Sequence, residues 1–283
     1  HADGGLARFH GGGRGLEGRL DHALASAGGK AITRHGLAMG FARLAGGRTT
    51  VIVDAAAPPE GMAGASAHAS TLAFELTSGR RPMVVGCGSG APFGADWHRA
   101  SRATQSHSTL SLDGYSSSRF AHDGREVLED RARISLLQMQ PDASGAPQVL
   151  AGHDGWRASH GFLHLRDLTL SPDGRHLAGV DMLRAETAAD QRRLTAVLAR
   201  SAGRLGYALR FHLHPDADAT LVMRIKGSTL EGEDIVKTVA LQLGAKGEDG
   251  RKRLAEAGLQ LVPLGDAVQI GQIKFGSRAR KGG

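Results

Sequence analysis

Short runs in which apolar and polar residues alternate dominate this chain, and a period of two marks a strand with one buried face. The alternation predicts strands over residues 35–44, 49–54, 71–77, 81–86, 107–112, 132–139, 148–153, 160–170, 176–183 and 207–214, with a shorter strand-like run at 6–10. Residues 16–27 instead keep a helical spacing, with Leu16, Leu20, Ala23 and Leu24 on one side. Gly46-Gly47, Ser78-Gly79 and Ser171-Pro172-Asp173-Gly174 fall between predicted strands, and Asp113-Gly114 ends another, which is the chemistry of tight turns. Many short strands joined by turns predict an all-β fold, a large antiparallel β-sandwich with a short N-terminal helix, rather than alternating strands and helices.

Residue usage changes near position 215. All 14 histidines lie between His1 and His214, whereas Lys30 is the sole lysine before the seam and Lys226, Lys237, Lys246, Lys252, Lys274 and Lys281 follow it. The seam predicts two units, a sandwich over 1–216 and a small, incomplete α+β tail over 217–283. In the tail the pattern predicts strands at 220–226, 234–243, 260–263 and 267–275 and a helix at 250–258, then a solvated basic end, Arg278-Ala279-Arg280-Lys281.

The formal charge of +7 favours anionic partners. Basic and acidic residues are interspersed and no nucleic-acid motif accompanies them, so an ordinary solvated surface is the first reading, acidic polysaccharide is the preferred partner if there is one, and nucleic acid is not expected. No apolar run approaches the roughly 18 residues of a membrane span. Cys87 stands alone, which excludes an internal disulfide. With His1 first and no leader after it, the chain is expected to start inside a longer protein.

Candidate chemistry centres on His68 and His107. Each opens a strand, in Ser66-Ala67-His68-Ala69-Ser70-Thr71-Leu72-Ala73-Phe74-Glu75-Leu76 and in His107-Ser108-Thr109-Leu110-Ser111-Leu112-Asp113-Gly114, so both rings can converge at a sheet rim. Two imidazoles are frequent zinc ligands, and zinc is the cofactor this pair suggests. Single histidines are more often hydrogen-bonded structural residues, the role assigned to His212 and His214 beside Pro215. His10-Gly11-Gly12-Gly13 resembles an esterase oxyanion turn but has no G-x-S-x-G elbow downstream. Gly86-Cys87-Gly88-Ser89-Gly90 lacks the Lys-Ser/Thr pair of a phosphate loop. Both read as turns, and Cys87 as packing.

The strand around His68 resembles the signature of the heparinase II/III family of polysaccharide lyases. So do Gly94-Ala95-Asp96-Trp97-His98-Arg99, the stretch from Ser106 to Gly114, His153-Asp154-Gly155-Trp156, Leu170-Ser171-Pro172-Asp173-Gly174-Arg175 and Arg210-Phe211-His212-Leu213-His214-Pro215. The resemblance covers about residues 1–216 and implies the sandwich of such an enzyme, which follows an α/α toroid in complete members. It implies β-elimination on a uronic-acid polysaccharide such as a glycosaminoglycan, and a periplasmic or secreted location.

Carried over residue by residue, His68 and His107 match two metal ligands. Gly86 stands at the third, an aspartate, with Cys87 as a substitute donor, and Ser66 stands at a catalytic histidine. The toroid tyrosine has no counterpart, since Tyr115 and Tyr207 belong to the sandwich. The resemblance therefore implies a truncated lyase, inactive alone. A noncatalytic acidic-glycan-binding module using Arg-rich sheet faces, and a nonfunctional fusion fragment, are the alternatives. Residues 219–283 resemble more weakly the domain appended to the large permease subunit of some TRAP-type transporters.

Overall fold

A computed structural model describes residues 1, 5–11, 18–28, 35–203, 205–225, 237–244, 259–260 and 267–277. The first sheet is a five-stranded antiparallel meander of β1 (Gly36–Ala38), β2 (Phe41–Gly46), β3 (Thr49–Asp54), β4 (Phe74–Ser78) and β5 (Arg81–Val84). Three short strands follow: β6 (Leu110–Leu112), β7 (Arg119–Phe120) and β8 (Leu128–Asp130). The second sheet is built on the antiparallel run β9 (Ile134–Pro141), β10 (Pro147–Trp156), β11 (Phe162–Leu170) and β12 (His176–Arg184). Strand β13 (Gly206–Leu209) pairs with β6. Beyond the seam, β14 (Asp218–Ile225), β15 (Lys237–Gly244) and β17 (Ala267–Ser277) join the second sheet, while β16 (Leu259–Gln260) pairs with β13. The seven-stranded order is β14-β15-β17-β12-β11-β10-β9, with β15 and β17 the parallel pair.

The inward sets of the two sheets form one core. Leu44, Val51, Val53, Phe74 and Leu76 of the first sheet pack with Val149, Ala151, Leu168, Leu170 and Leu177 of the second. Each of the Val, Leu and Phe side chains among them contributes roughly 1.5–3 kcal/mol on leaving water. In β12 the alternation holds over the whole strand: Leu177, Gly179, Asp181 and Leu183 are buried, their neighbours less so. One apolar row thus carries a carboxylate inward. A smaller cluster of Leu110, Leu112, Trp156, Phe162, Leu183 and Tyr207 closes one end. At one place the predicted turns of the two sheets touch. A side chain on Gly174, at φ +68°, would meet the Gly46 carbonyl, and Thr49 Oγ1 donates to Gly174 O at 2.6 Å.

The antiparallel sandwich is as the alternation predicts, with local corrections. Residues 35–44 are two strands, because Met39 (φ +52°) and Gly40 (φ +83°) turn the chain. Residues 6–10 make no strand; Phe9 is buried and stacks on Phe41 at 5.7 Å instead. The run at 71–77 begins only at Phe74, since Leu72 sits at φ +65° in a turn closed by Ala73 N donating to Ser70 O. Of the helix predicted at 16–27, α1 (Arg19–Ser26) is described. The pattern missed α2 (Ala95–Ser101), the single turn α3 (Arg157–His160) and α4 (Ala188–Arg200). Thr187 and Asp190 form a reciprocal capping box at α4, a signal present in the sequence. The helix predicted at 250–258 and the basic end at 278–281 lie outside the described residues. Among the described residues no helix is long and apolar enough to cross a membrane.

Candidate functional site

His68 and His107 lie on irregular segments, each entered from a 3-10 turn, Gly61–Ser66 and Thr104–Ser106. Polar side chains weld the two segments together. Buried Arg102 donates from Nε to Ala67 O at 2.8 Å, and its own carbonyl accepts from Ala69 N. Thr104 Oγ1 donates to Ala69 O at 3.0 Å. The outcome is that His68 Nδ1 faces His107 Nε2 at 3.3 Å, with ring centroids 5.2 Å apart and both residues 1% exposed.

A third imidazole arrives from residues 5–11, which cross over the pair as a strap. His10 Nδ1 accepts from His68 N at 3.3 Å, and its Nε2 stands 3.8 Å from Asp54 Oδ2. Gly11 lies so close that a Cβ there would be 2.7 Å from His68 Nε2. Glu75 anchors the strap: its Oε1 accepts from Arg8 N at 3.0 Å and Gly86 N at 3.1 Å, and its Oε2 meets His1 Nε2 at 2.8 Å. Sequence reasoning read His10 as part of a turn and passed over Asp54; only contacts distant in the chain reveal either.

Burial sets the protonation states. It pushes His68 down to about 3, helped by the positive fields of His10, Arg102 and His98, and holds His107 well below its ordinary value. Both rings are neutral at pH 7. Burial raises Asp54 to about 7 against the hydrogen bond from Ser70 Oγ at 2.6 Å. His107 Nδ1 and Thr109 Oγ1 are buried without a hydrogen-bond partner. Such orphans are costly, so the surroundings of the pair are left incompletely satisfied.

Behind the pair stands a second buried network. Gly155 N donates to His153 Nδ1 at 3.1 Å, which leaves the His153 proton on Nε2, 3.2 Å from His164 Nδ1. His164 in turn presents Nε2–H to Asp181 Oδ1 at 2.6 Å. Every nitrogen in that relay has a partner, so it is structurally self-sufficient where the His68–His107 pair is not. Arg166 grips Asp181 with Nε and Nη2 at 2.8 and 3.0 Å, then reaches across the sandwich with Nη1 to Leu72 O at 2.7 Å and Ser108 O at 3.1 Å. One guanidinium on β11 thereby fixes both histidine-bearing segments. Burial opposes the Asp181 charge, but Arg166 and His164 hold its carboxyl down to about 2.

The fit to zinc is partial. Two nitrogens bound to a tetrahedral zinc ion lie about 3.3 Å apart, the spacing of this pair. Among the described residues, however, no group of three or more His, Cys, Asp or Glu side chains is arranged to hold an ion. Gly86 offers no side chain, and Cys87 is exposed, with its thiol pushed up by desolvation. Ser66 is exposed at the end of its turn. Tyr207 is buried in the second core cluster, and Tyr115 leans edge-on against His160 at 4.5 Å. His212 is bound at Nε2 to Gln105 O at 3.0 Å, and Leu213 bridges to Val84 at the edge of the first sheet.

Comparison with known proteins places these observations. Residues 29–257 match the family described as heparinase II/III-like, C-terminal, and the match continues through most of the segment bearing the transporter resemblance. The chain is 32% identical over 239 residues to FtsZ-localized protein C of Caulobacter vibrioides (strain NA1000 / CB15N), a match covering 81% of this chain and 39% of that protein. It therefore spans well under half the length of this relative. A crystal structure of heparinase III superposes with a TM-score of 0.52 at 13% identity, covering 79% of this chain and 38% of that one. Heparan sulfate lyase HepC from Pedobacter heparinus gives 0.47 at 16% identity, over 76% of this chain and 32% of that one. A sandwich of this topology, its paired histidines and a family match over most of its length lead to one assignment: the chain belongs to the heparinase II/III-like, C-terminal family.

Proposed function

We propose that this chain is the β-sandwich portion of a heparinase II/III-like protein that engages a uronic-acid polysaccharide, and that it performs no β-elimination by itself. The observation that carries the reading is the buried, neutral His68–His107 pair inside a family-typical sandwich. β-Elimination needs a base for the proton beside the carboxylate and an acid for the leaving oxygen. The two histidines are buried and cannot be acids near neutrality, Ser66 provides no imidazole, and Tyr115 and Tyr207 are engaged elsewhere. What the chain supplies is a rigid wall of hydrogen-bonded loops beside which an acidic sugar can be held. Zinc on His68 and His107 is carried as part of the proposal, supported by their spacing and weakened by the want of a third donor. Calorimetric titration with zinc decides it: heat that disappears in His68→Ala supports the site, and equal traces remove it.

For the main reading, the purified chain is passed over heparan- and alginate-type columns and assayed for unsaturated-uronate absorbance. Salt-sensitive retention without absorbance is expected. Absorbance growing with time refutes the inactivity, and no retention refutes the glycan reading.

A second reading follows from the relative named for its localisation with FtsZ. On this reading the sandwich belongs to a protein stationed at the bacterial division site. A fluorescent fusion concentrating in the FtsZ ring supports it; uniform fluorescence ends it.

A further inference from the structure

The seven-stranded sheet ends on β9, and that edge is open. Strand β9 pairs with β10 on one side, from Ile134 to Pro141. On its other side no backbone group of residues 134–141 is hydrogen-bonded among the described residues. Alternate residues of an antiparallel strand turn their N–H and C=O away from the neighbour, so an edge of this kind is a template for another strand. The other edges differ. The β5 edge of the first sheet is covered, with Val85 N donating to His212 O and His214 N to Met83 O. Strand β1 has three residues, and β14 carries Asp218 and Arg224.

Edges are ordinarily kept apart by charges, prolines and bulges. Strand β9 has a bulge near Ile134 and a proline, Pro141, at its far end. Between them Ser135, Leu136, Leu137, Gln138, Met139 and Gln140 carry no charge. Leu137 and Met139 pack against the main core and fix the strand in place, while Ser135, Gln138 and Gln140 are exposed. Charge stands at the two ends instead. Arg133, immediately before the strand, is exposed, and its guanidinium has no hydrogen bond or ion pair among the described residues. Asp142, immediately after it, accepts at Oδ1 from Ser144 N, Ser144 Oγ and Ala146 N, which leaves Oδ2 over. The Ser144 hydroxyl and the Ala146 N–H hold this carboxyl below its ordinary range, so it is ionised at pH 7.

We infer that β9 is the contact edge of a twofold dimer, in which the β9 strands of two copies pair antiparallel and merge their seven-stranded sheets into one. Antiparallel order lays the basic end of each strand beside the acidic end of the other, so Arg133 of each copy comes alongside Asp142 of the other copy. Parallel order would set arginine against arginine. The uncharged middle meets itself without like-charge conflict. A contact of this symmetry is closed and stops at two copies. The inference stands apart from the polysaccharide reading.

Sedimentation of the full 283-residue chain across the micromolar range tests it, with hydrogen exchange to locate the contact. A reversible dimer is expected, with amides of 134–141 exchanging more slowly in concentrated than in dilute protein. Gln138→Lys, which sets two ammonium groups against each other in mid-strand, should abolish the dimer. Arg133→Glu, which sets a carboxylate beside Asp142, should weaken it about tenfold. Both positions are exposed, so circular dichroism of the dilute variants should match the wild type. A chain that stays monomeric throughout overturns the inference. So does a dimer that keeps its affinity in both variants, or one whose slowed amides lie elsewhere, such as around the exposed Phe93 and Trp97.

Discussion

Acid should unfold this protein earlier than its carboxylates alone would dictate, because its histidines are buried neutral. A histidine whose folded pKa lies below its unfolded value binds a proton on unfolding whenever the pH lies between the two. Stability contributed by its burial is complete above about 6.5 and is lost as pH falls toward the folded pKa. His68, with a folded value of about 3, and His107 and His153, both well below normal, all behave this way through the range from pH 6 to pH 4. For His68 the loss amounts to about 1.4 kcal/mol per pH unit, and His107 and His153 add losses of the same sign. Asp54 acts oppositely: raised to about 7, it is protonated in the fold and stabilises as pH falls through that window. His10, His160, His164 and His212 are lowered in the same way, while Glu75 and Asp167 are raised like Asp54, so the histidines outnumber the carboxylates and the net is a loss of stability as pH falls. Against the 5–15 kcal/mol or so of an ordinary domain, the His68 share alone is a sizeable fraction over two pH units. Urea unfolding at half-unit steps between pH 7 and pH 4.5 measures the slope directly. His68→Gln, which cannot take up the proton, should flatten it by about one proton's worth. A flat stability profile down to pH 5, or an unchanged slope in His68→Gln, would show that these rings are not buried as neutral bases.

Two further outcomes follow from the same geometry. Arg166→Met strips the buried Asp181 carboxylate of its cation and releases the Leu72 and Ser108 carbonyls, a loss expected to reach about 3–5 kcal/mol in chemical unfolding; a change below 1 kcal/mol would deny it the cross-sandwich role. Gly86→Asp should destabilise by about 1–3 kcal/mol, because the new Cβ meets Glu75 Oε1 at 3.2 Å and Arg8 O at 3.3 Å. Its carboxylate would also share space with a buried one, so the double variant with Glu75→Gln should recover part of the loss in thermal melts. A neutral or stabilising Gly86→Asp contradicts this account of the position.

The alternation disclosed most of the sheet framework because burying one face imposes it directly. Strand β3 falls on residues 49–54 as read and β4 differs mainly at its start, whereas the strand read at 35–44 is a hairpin of β1 and β2. The failures share a cause. Leu72 continues the apolar alternation yet adopts a left-handed turn, since its carbonyl is claimed by Arg166, 94 residues later. Leu194, Val197 and Leu198 lie at helical spacing behind a capping residue, but the expectation of strands obscured α4. The convergence of His68 and His107 was visible from their placement before parallel motifs, whereas His10 and Asp54 come to the pair through a strap that carries no periodic signal. Arg166 and Asp181 stand inside strands that read as ordinary alternation, and a charge facing inward is detectable only once the two sheets have been laid against each other.

The strap has a kinetic meaning. His68 Nε2 lies beneath Gly11, so a reagent approaching from that side must first peel back residues 5–11. Among the described residues the strap's fastenings include the Glu75 carboxylate, the Phe9–Phe41 stack, the bond from His68 N to His10 Nδ1 and the approach of His10 to Asp54. On that side, the rate at which a reagent reaches the paired rings is set by how readily the chain lifts the strap rather than by the reagent.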